Sequence, residues 1–313
     1  MFLFDKDNKK NLIFPAVAGY GDFFLRAECL KYGAKLAFCE MLSAKGLVYG
    51  CENTFELLYC ESTKNIGVQI FGSDPSIIKD AIQFDCVKKF DTIELNAGCP
   101  VRKIVTNGEG SALMKSPQLL YDIVKGMKSV ADGRAVGVKM RAGFNQNEKN
   151  AVECALKCEE AGADYVTVHG RTADMLYSGF SDNSAIMEVK KAVKIPVIAN
   201  GDIVDLGTFN KIAEETQADG FAIARAAVAR PNIFATLLGK NTEIDIKYLL
   251  TEHFAKLEAA FGERTALGLI KGHINYNLKG LPNVKDIKVA ALLAKNKNEL
   301  LKALKQINYV THI

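Results

Sequence analysis

The sequence predicts an α/β protein in which a (β/α)8 TIM barrel is followed by a small all-helical C-terminal domain. Between residues 12 and 223, short β-branched or apolar runs alternate with longer segments of helical period, and there are eight such runs. Eight βα units in about 220 residues are typical of a TIM barrel. Beyond about residue 245 the strand-like runs stop and only helical spacing continues.

The eight runs are recognised by their apolar and β-branched residues. In chain order they are Leu12–Ala18, Lys35–Cys39, Ile66–Phe71, Thr92–Leu95, Ala135–Met140, Tyr165–His169, Val197–Ala199 and Gly220–Ile223. A doubly wound open sheet is the main alternative, but residues 18–22 (AGYGD) do not match its phosphate-binding turn G-x-G-x-x-G. In a barrel, functional groups follow the C-terminal ends of the strands. The residues after each run are therefore the candidates for a site.

The tail after the barrel is expected to be helical and basic. Helical spacing with lysine on the polar positions runs through Tyr248–Phe261, Thr265–Lys279 and Asn298–Ile307, and residues 239–242 form a plausible linker. We therefore expect a catalytic domain over residues 1–240 and a helical domain over 241–313. Residues 240–313 hold 12 Lys and Arg against 7 Asp and Glu, whereas the preceding residues carry a net charge of −1. This asymmetry fits a polyanion partner and also a solvated lysine-rich surface.

The overall composition is that of a globular protein, with 49% hydrophobic and 24% charged residues. No apolar run approaches the roughly 20 residues that cross a bilayer, and residues 1–6 lack the order of a signal peptide. None of the eight cysteines forms a C-x-x-C pair, which favours a reduced, cytoplasmic compartment. Cys154 and Cys158 share a helix face without nearby partners, so we expect core packing there and no structural metal.

The fourth run leads into residues 94–100, which read ELNAGCP. Pro100 disfavours helix at Cys99 and favours an extended or turn conformation at the barrel mouth. The local pattern fits a functional thiol and a buried small apolar side chain equally. Residues 107–111 (NGEGS) that follow are expected to form a mobile loop over the mouth.

Basic and polar side chains end the next three strands. The fifth run ends in Lys139 and Arg141, which point to one side because alternate strand residues share a face. The sixth ends in His169 and Arg171, and the seventh leads into residues 200–202 (NGD). Each residue type is ordinary alone, but their convergence at one barrel mouth predicts a site in which Lys139 stabilises an anion.

The eighth run leads into residues 222–227 (AIARAA) and then a helical stretch. Loops after strands seven and eight of TIM barrels frequently bind phosphate through backbone N–H groups at a helix N-terminus. Gly201 and Arg225 suit that role, and no Walker motif points to a nucleoside triphosphate. The sequence therefore predicts a phosphorylated cofactor.

Taken together, these motifs resemble the tRNA-dihydrouridine synthases. The resemblance rests on PAVAG at 15–19, ELNAGCP at 94–100, VKMR at 138–141, HGRT at 169–172 and ANGDI at 199–203, which occur in that family's order and spacing. It covers about residues 12–238, and the tail is similar to the family's C-terminal domain at residues 262–264 and 273–282. The combination of ELNAGCP and HGRT is nearest the bacterial B-type branch.

The resemblance implies FMN in the barrel mouth and NADPH as its reductant. Around the flavin ring and ribityl chain it places Pro15, Ala16, Val17, Gln69, Lys139 and His169. Toward the phosphate it places Asn200, Gly201, Asp202, Ala224 and Arg225. The family usually has Pro-Met at residues 15–16 and Gly-Arg-Gly at 224–226, so the alanines of this chain would be strained if those positions required φ > 0.

The implied reaction reduces a uridine of tRNA to 5,6-dihydrouridine, with hydride delivered to C6 of the base. Cys99 is then the catalytic acid that protonates C5, which requires a thiol and no strongly depressed pKa. Asn96, Arg141 and Arg171, together with His169, are the implied contacts of the extruded uracil. The tail is implied to bind tRNA.

Two other functions fit parts of the sequence. One is an FMN-dependent barrel dehydrogenase acting on a free pyrimidine, which leaves the basic tail unexplained. The other is a catalytically idle RNA-binding protein of the same fold, which has no need of Cys99, Lys139 and His169 together. A flavin spectrum separates the idle protein from the two enzymes.

Overall fold

A closed barrel of eight parallel strands forms the first part of the computed structural model, which describes residues 4, 5 and 7–312. Each strand pairs with the next and β8 closes on β1, so the predicted TIM barrel is confirmed. Of residues 1–6, in which we expect no signal peptide, residues 1–3 and 6 lie outside the described part. The strands are β1 Leu12–Phe14, β2 Leu36–Ser43, β3 Ile66–Phe71, β4 Thr92–Ala97, β5 Ala135–Arg141, β6 Tyr165–His169, β7 Val197–Asn200 and β8 Gly220–Ala222.

The first two strands differ most from their predicted bounds. β1 ends at Phe14, because Pro15 has no N–H for a ladder and the carbonyl of Val17 accepts the N–H groups of Tyr20 and Gly21 in a turn. β2 instead continues four residues beyond the predicted end, through a register shift against β3. Residues 15–18 are consequently loop, and they lie at the barrel mouth.

Helices follow the strands as predicted, and half of the barrel helices begin at a residue whose side chain caps them. Asp74, Asp182 and Asp205 each accept backbone N–H groups of the first turn of their helix. The barrel helices are α1 Phe23–Lys31, α2 Ala44–Val48, α3 Glu52–Glu56, α4 Pro75–Ala81, α5 Asp85–Lys88, α6 Arg102–Val105, α7 Pro117–Ser129, α8 Ala151–Glu160, α9 Asn183–Ala192, α10 Leu206–Thr216, α11 Arg225–Ala229 and α12 Ile233–Leu237. Short 3-10 helices cover Asn8–Lys10 and Gly110–Lys115.

Large rings facing glycines fill the N-terminal end of the barrel. A Cβ on Gly67 would lie 2.6 Å from the ring of Phe38, and one on Gly137 would lie 2.1 Å from the ring of Tyr165. Both rings are fully buried. Glycine on one strand therefore makes room for a ring on its neighbour, and this packing leaves the polar chemistry at the opposite end.

The tail is helical, as predicted, with one addition. Its helices are α13 Ile246–Phe261, α14 Glu263–Asn277, α15 Lys285–Leu293 and α16 Lys297–Leu304. An antiparallel ribbon of β9 Glu243–Asp245 and β10 Val310–His312, which the sequence analysis does not predict, joins its two ends. The tail has its own apolar cluster, which also takes in Phe23 of α1. Within the described residues, no helix is long and apolar enough to cross a membrane.

Candidate active site at the barrel mouth

The parallel register brings the strand-end side chains together. Lys139 lies opposite Asn96 on one side and Thr167 on the other, and His169 lies between Arg141 and Asn200. Gln69, on β3, is fully buried one strand further round. The polar groups predicted on β3 to β7 thus share one end of the barrel.

Lys139 is a cation held without a close acceptor. In the described part of the chain, no group accepts a hydrogen bond from its ammonium, although the carboxylate of Glu94 is near enough to attract it. Burial lowers the pKa of Lys139 to about 8, while the Glu94 charge acts to raise it. A protonated lysine of this kind is suited to an anionic group that enters the mouth.

Cys99 is partly buried beside this cation. The side-chain carbonyl of Asn96 accepts the N–H groups of Gly98 (3.1 Å) and Cys99 (2.9 Å), which fixes the turn that carries the thiol. Burial raises the pKa of the Cys99 thiol, and the opposing effects of the Val101 N–H and of Arg141 and Lys139 do not cancel it. At neutral pH the residue is a thiol, as an acid requires.

The segment after Cys99 is hydrogen-bonded to it and packs against it. The N–H of Ser111 donates to the carbonyl of Cys99 at 2.9 Å. Gly110 has φ +61°, and a Cβ there would lie 2.7 Å from the same carbonyl, so only glycine fits. The expected mobile loop over residues 107–111 therefore leads directly into a 3-10 helix packed on β4.

The two arginines that the resemblance assigns to substrate binding form most of their hydrogen bonds with carbonyl groups of loops. Arg141 donates to the carbonyls of Gly98, Thr172 and Leu176, at 2.8 to 2.9 Å. Arg171 donates to the carbonyls of residues 178 and 179 and to the carboxylate of Asp202. Both side chains are buried. Arg141 connects the loops after β4 and β6, and Arg171 connects the loops after β6 and β7.

Asp202 organises the end of the mouth near β7 and β8. Its carboxylate accepts from Arg171 at 2.8 Å, from Arg225 at 3.0 Å and from the N–H of Ser181 at 2.8 Å. Burial acts to raise the pKa of Asp202, but these hydrogen bonds and charges outweigh it and the pKa is lowered. Gly201 has φ +125°, and a Cβ there would lie 2.4 Å from the Ser181 hydroxyl.

The alanines that replace the family's usual glycines do not adopt positive φ. Ala224 has φ −101°, and Ala226 lies inside α11. Ala16 also is not among the residues with positive φ. Arg225 begins α11, whose first N–H groups have no acceptor within the helix. Backbone donors are thus present where a phosphate is predicted.

His169 lies among cations and is neutral. Burial and the charges of Lys139, Arg141 and Arg171 hold its pKa well below the ordinary value. Its Nε2 lies 3.4 Å from Arg171, and the neighbouring Asn200 donates to the carbonyl of Ala222 at 2.8 Å. Pro15, Ala16 and Val17 occupy the loop after β1 at the same end of the barrel.

The sequence did not point to a second polar cluster, which joins barrel and tail. Asp22 caps α1 through one carboxylate oxygen, and its other oxygen accepts from Nε2 of His253 (2.8 Å) and of His273 (2.9 Å). Their nearest ligand atoms all lie within 4.8 Å, the one described group with metal-binding composition. A tetrahedral ion with bonds of about 2.0 Å would hold them about 3.3 Å apart, so these distances are those of hydrogen bonds.

Comparisons with known proteins agree with the geometry. A family model described as dihydrouridine synthase (Dus) matches residues 14–311. The chain is 34% identical over 281 residues to tRNA-dihydrouridine synthase B of Vibrio parahaemolyticus, covering 87% of each chain. It is 31% identical over 297 residues to a probable tRNA-dihydrouridine synthase of Rickettsia conorii, covering 90% of this chain and 88% of the other. The amine oxidase HisD of Pseudomonas geniculata shares the fold, with TM-score 0.56 and 11% identity over 74% of this chain and 47% of that one.

Proposed function

The chain belongs to the dihydrouridine synthase family, and on that premise we propose that it is an FMN-dependent enzyme that reduces uridine in tRNA to 5,6-dihydrouridine with NADPH as electron source. The observation that carries the proposal is the pairing of a thiol and a free cation at one barrel mouth. Cys99 follows β4 and Lys139 lies on the adjacent β5, and Asn96, which holds the Cys99 turn, lies directly opposite Lys139.

The residues of the mouth fit FMN. The ammonium of Lys139 is available to an anionic ring edge, and Arg225 with the first N–H groups of α11 is available to a phosphate. Gln69 fits less well, because both ends of its amide are already engaged by Glu94 and Asn96.

In the proposed reaction, bound FMN would supply the hydride for C6 of the uracil, with NADPH as the source of its electrons. The Cys99 thiol gives its proton to C5, so that the C5=C6 double bond becomes a single bond, and the thiolate then takes a proton from solvent. Lys139 and Arg141 lie close enough to favour that transient thiolate. The chain's own contribution is thus to hold a proton at Sγ and to keep the site cationic.

We further propose that residues 241–313 form the tRNA-binding domain and that the enzyme acts in the cytoplasm, where tRNA is found. The tail carries the basic excess of the chain, and the C-terminal end of α14 packs beside the mouth. Tyr276 of α14 contacts the ring of Tyr20 at 4.8 Å, and Asn277 donates to the carbonyl of Val228 in α11. A tRNA bound to the tail would therefore lie over the barrel mouth.

The test is to map dihydrouridine by mass spectrometry in tRNA from a strain that lacks this protein. We expect specific sites to revert to uridine and to be restored by the wild-type gene but not by Cys99→Ala. The purified protein should be yellow and release FMN on denaturation. Unchanged tRNA together with reduction of a free pyrimidine would support the dehydrogenase instead, and colourless protein that cannot bind FMN would exclude both enzymes.

A further inference from the structure

A chain of buried hydrogen bonds connects the middle of the barrel to Cys99. Gln69 Nε2 donates to Glu94 Oε1 at 2.6 Å, and Asn96 Nδ2 donates to Gln69 Oε1 at 2.6 Å. Asn96 Oδ1 in turn accepts the N–H of Cys99 at 2.9 Å. Glu94 and Gln69 are each 1% exposed and Asn96 is 7% exposed, so water does not compete for these bonds.

The direction of this chain is set at Glu94. An ionised carboxylate only accepts hydrogen bonds, so Gln69 must turn its NH2 group toward Glu94 and its carbonyl toward Asn96. Asn96 must then use its own NH2 group on Gln69, which leaves its carbonyl for the N–H groups of Gly98 and Cys99. Without the acceptor at Glu94, both amides are free to flip and the turn at Cys99 loses its anchor.

Hydrogen-bond donors and a counter-charge surround the carboxylate of Glu94. The hydroxyl of Thr167 donates to its second oxygen at 3.1 Å, and the charge of Lys139 is close by. Burial raises the pKa of Glu94, and the hydrogen bond from Gln69 and the Lys139 charge offset only part of that rise. The carboxylate thus has a donor on each oxygen and a nearby counter-charge, although it lies below the reacting groups rather than among them.

We propose that Glu94 is a positioning residue that acts through Gln69 and Asn96 to aim the Cys99 thiol at its substrate. This inference rests on the proposed role of Cys99 as the acid. The competing explanation is that Glu94 only fills the barrel interior and neutralises Lys139. The two differ in a measurable way, because a positioning effect disappears when the residue that is positioned is removed.

A double-mutant cycle makes that distinction. In the wild-type background, Glu94→Leu should lower the rate of dihydrouridine formation about tenfold, the effect of losing one well-placed hydrogen bond. In the Cys99→Ala background the same change should lower the residual rate less than about twofold. Glu94→Gln should keep most of the activity, because its carbonyl still accepts from Gln69 while its NH2 group faces the Thr167 hydroxyl. Thr92→Val, on the same face of β4, is the control.

Glu94→Asp guards against a variant that does not fold. It keeps the charge beside Lys139 but withdraws the acceptor by one C–C bond, so it should behave like Glu94→Leu. Equal losses from Glu94→Leu with and without Cys99, or full activity of Glu94→Asp, would overturn the proposal. If the wild-type protein forms no dihydrouridine in the same assay, the proposed function fails instead.

Hydrogen exchange gives a second readout that needs neither RNA nor turnover. The Cys99 N–H is protected by Asn96 in the structure, so a peptide spanning residues 96–105 should exchange faster in Glu94→Leu and Glu94→Asp than in the wild type and Glu94→Gln. The Ser111 N–H, which bonds the Cys99 carbonyl, should follow. Exchange that is unchanged in all variants would show that Glu94 does not anchor the turn.

Discussion

Two polar clusters in this molecule differ in how completely their hydrogen-bonding groups are paired. At the junction of barrel and tail, one oxygen of Asp22 receives hydrogen bonds from both His253 and His273, and its other oxygen caps α1. At the barrel mouth, Lys139 has no acceptor among the described residues, and the thiol of Cys99 faces the same space. We call the first cluster closed, because both oxygens of Asp22 have hydrogen-bond partners. We call the second cluster open, because the ammonium of Lys139 has no acceptor in the described part of the chain.

This difference distinguishes a cluster that stabilises the fold from a cluster that can bind a ligand. Lys139 and Cys99 are half-buried at the open end of the barrel, where a ligand can supply the hydrogen bonds that the chain does not. The mouth should therefore lose function when it is altered. The junction is complete without a ligand and should lose stability. Each prediction below tests one side of this contrast.

The largest effect is expected from the thiol. Cys99→Ala should lower dihydrouridine formation about 100-fold or more, the scale of a lost general acid, while NADPH-driven reduction of bound flavin stays nearly intact. Stopped-flow absorbance follows the flavin, and mass spectrometry of tRNA follows the product. Cys154→Ala, in the core of α8, is the control for loss of a cysteine. Equal loss in both half-reactions would return Cys99 to a structural role.

At the junction we expect a stability effect instead. Asp22→Ala removes a helix cap and leaves two buried imidazoles unpaired, which should lower the free energy of unfolding by about 3 kcal/mol. Asp205→Ala, which removes only the cap of α10, should cost about 1 kcal/mol. Urea denaturation of the holoprotein measures both. Similar values for the two variants would mean that the histidine bonds add nothing.

The same comparison has a pH dependence. Burial acts to raise the pKa of Asp22, but the two histidines hold it well below its ordinary 3.8. A carboxyl with a lowered pKa contributes stability above its unfolded value and loses it as pH falls. The difference between wild type and Asp22→Ala should therefore shrink as pH falls below about 4. A difference that does not shrink in that range would contradict the assignment of charge.

The sequence predicted the open cluster better than the closed one. Residues of the mouth follow strand ends, where parallel topology makes them neighbours, so Cys99, Lys139 and His169 could be grouped from pattern alone. Asp22 meets His253 across 231 positions of sequence, and no periodicity relates them. The hydrogen-bond partners of Asp22 are determined by tertiary packing, which the order of the strands along the sequence does not reveal.

The same reasoning explains why the sequence predicted the positions of Arg141 and Arg171 but not their hydrogen-bond partners. Their positions at strand ends were predictable, and the structure has them there. Their guanidinium groups, however, bind carbonyls of loops whose conformations depend on left-handed residues such as Leu176 and Gly179. The sequence identifies the guanidinium donors, whereas the carbonyl acceptors are known only from the folded loop.

Lys139 should give a smaller, pH-dependent effect. Lys139→Met should weaken FMN binding about tenfold, the contribution of one charge-assisted hydrogen bond. The pKa of the lysine is about 8 in the free protein, so wild-type affinity should fall as pH rises through that value, whereas the variant should be insensitive. Quenching of FMN fluorescence measures both. Lys35→Met, another lysine whose pKa burial lowers, is the control, and a loss of pH dependence there would contradict the assignment.

The smallest effect extends the contrast to the tail surface. Lys279 is exposed and follows α14, whose C-terminal end packs on α11 beside the mouth. A lysine that displaces one condensed counterion adds about 0.9 to the slope of log affinity against log salt. Lys279→Gln should therefore lower that slope by about 1 and weaken tRNA binding a few-fold near physiological salt, with flavin content unchanged. Lys305→Gln, exposed just after α16, carries the same loss of charge. If both variants lower the slope equally, tRNA is held by the net charge of the tail, but if only Lys279→Gln does so, the RNA lies across α14 and over the open cluster.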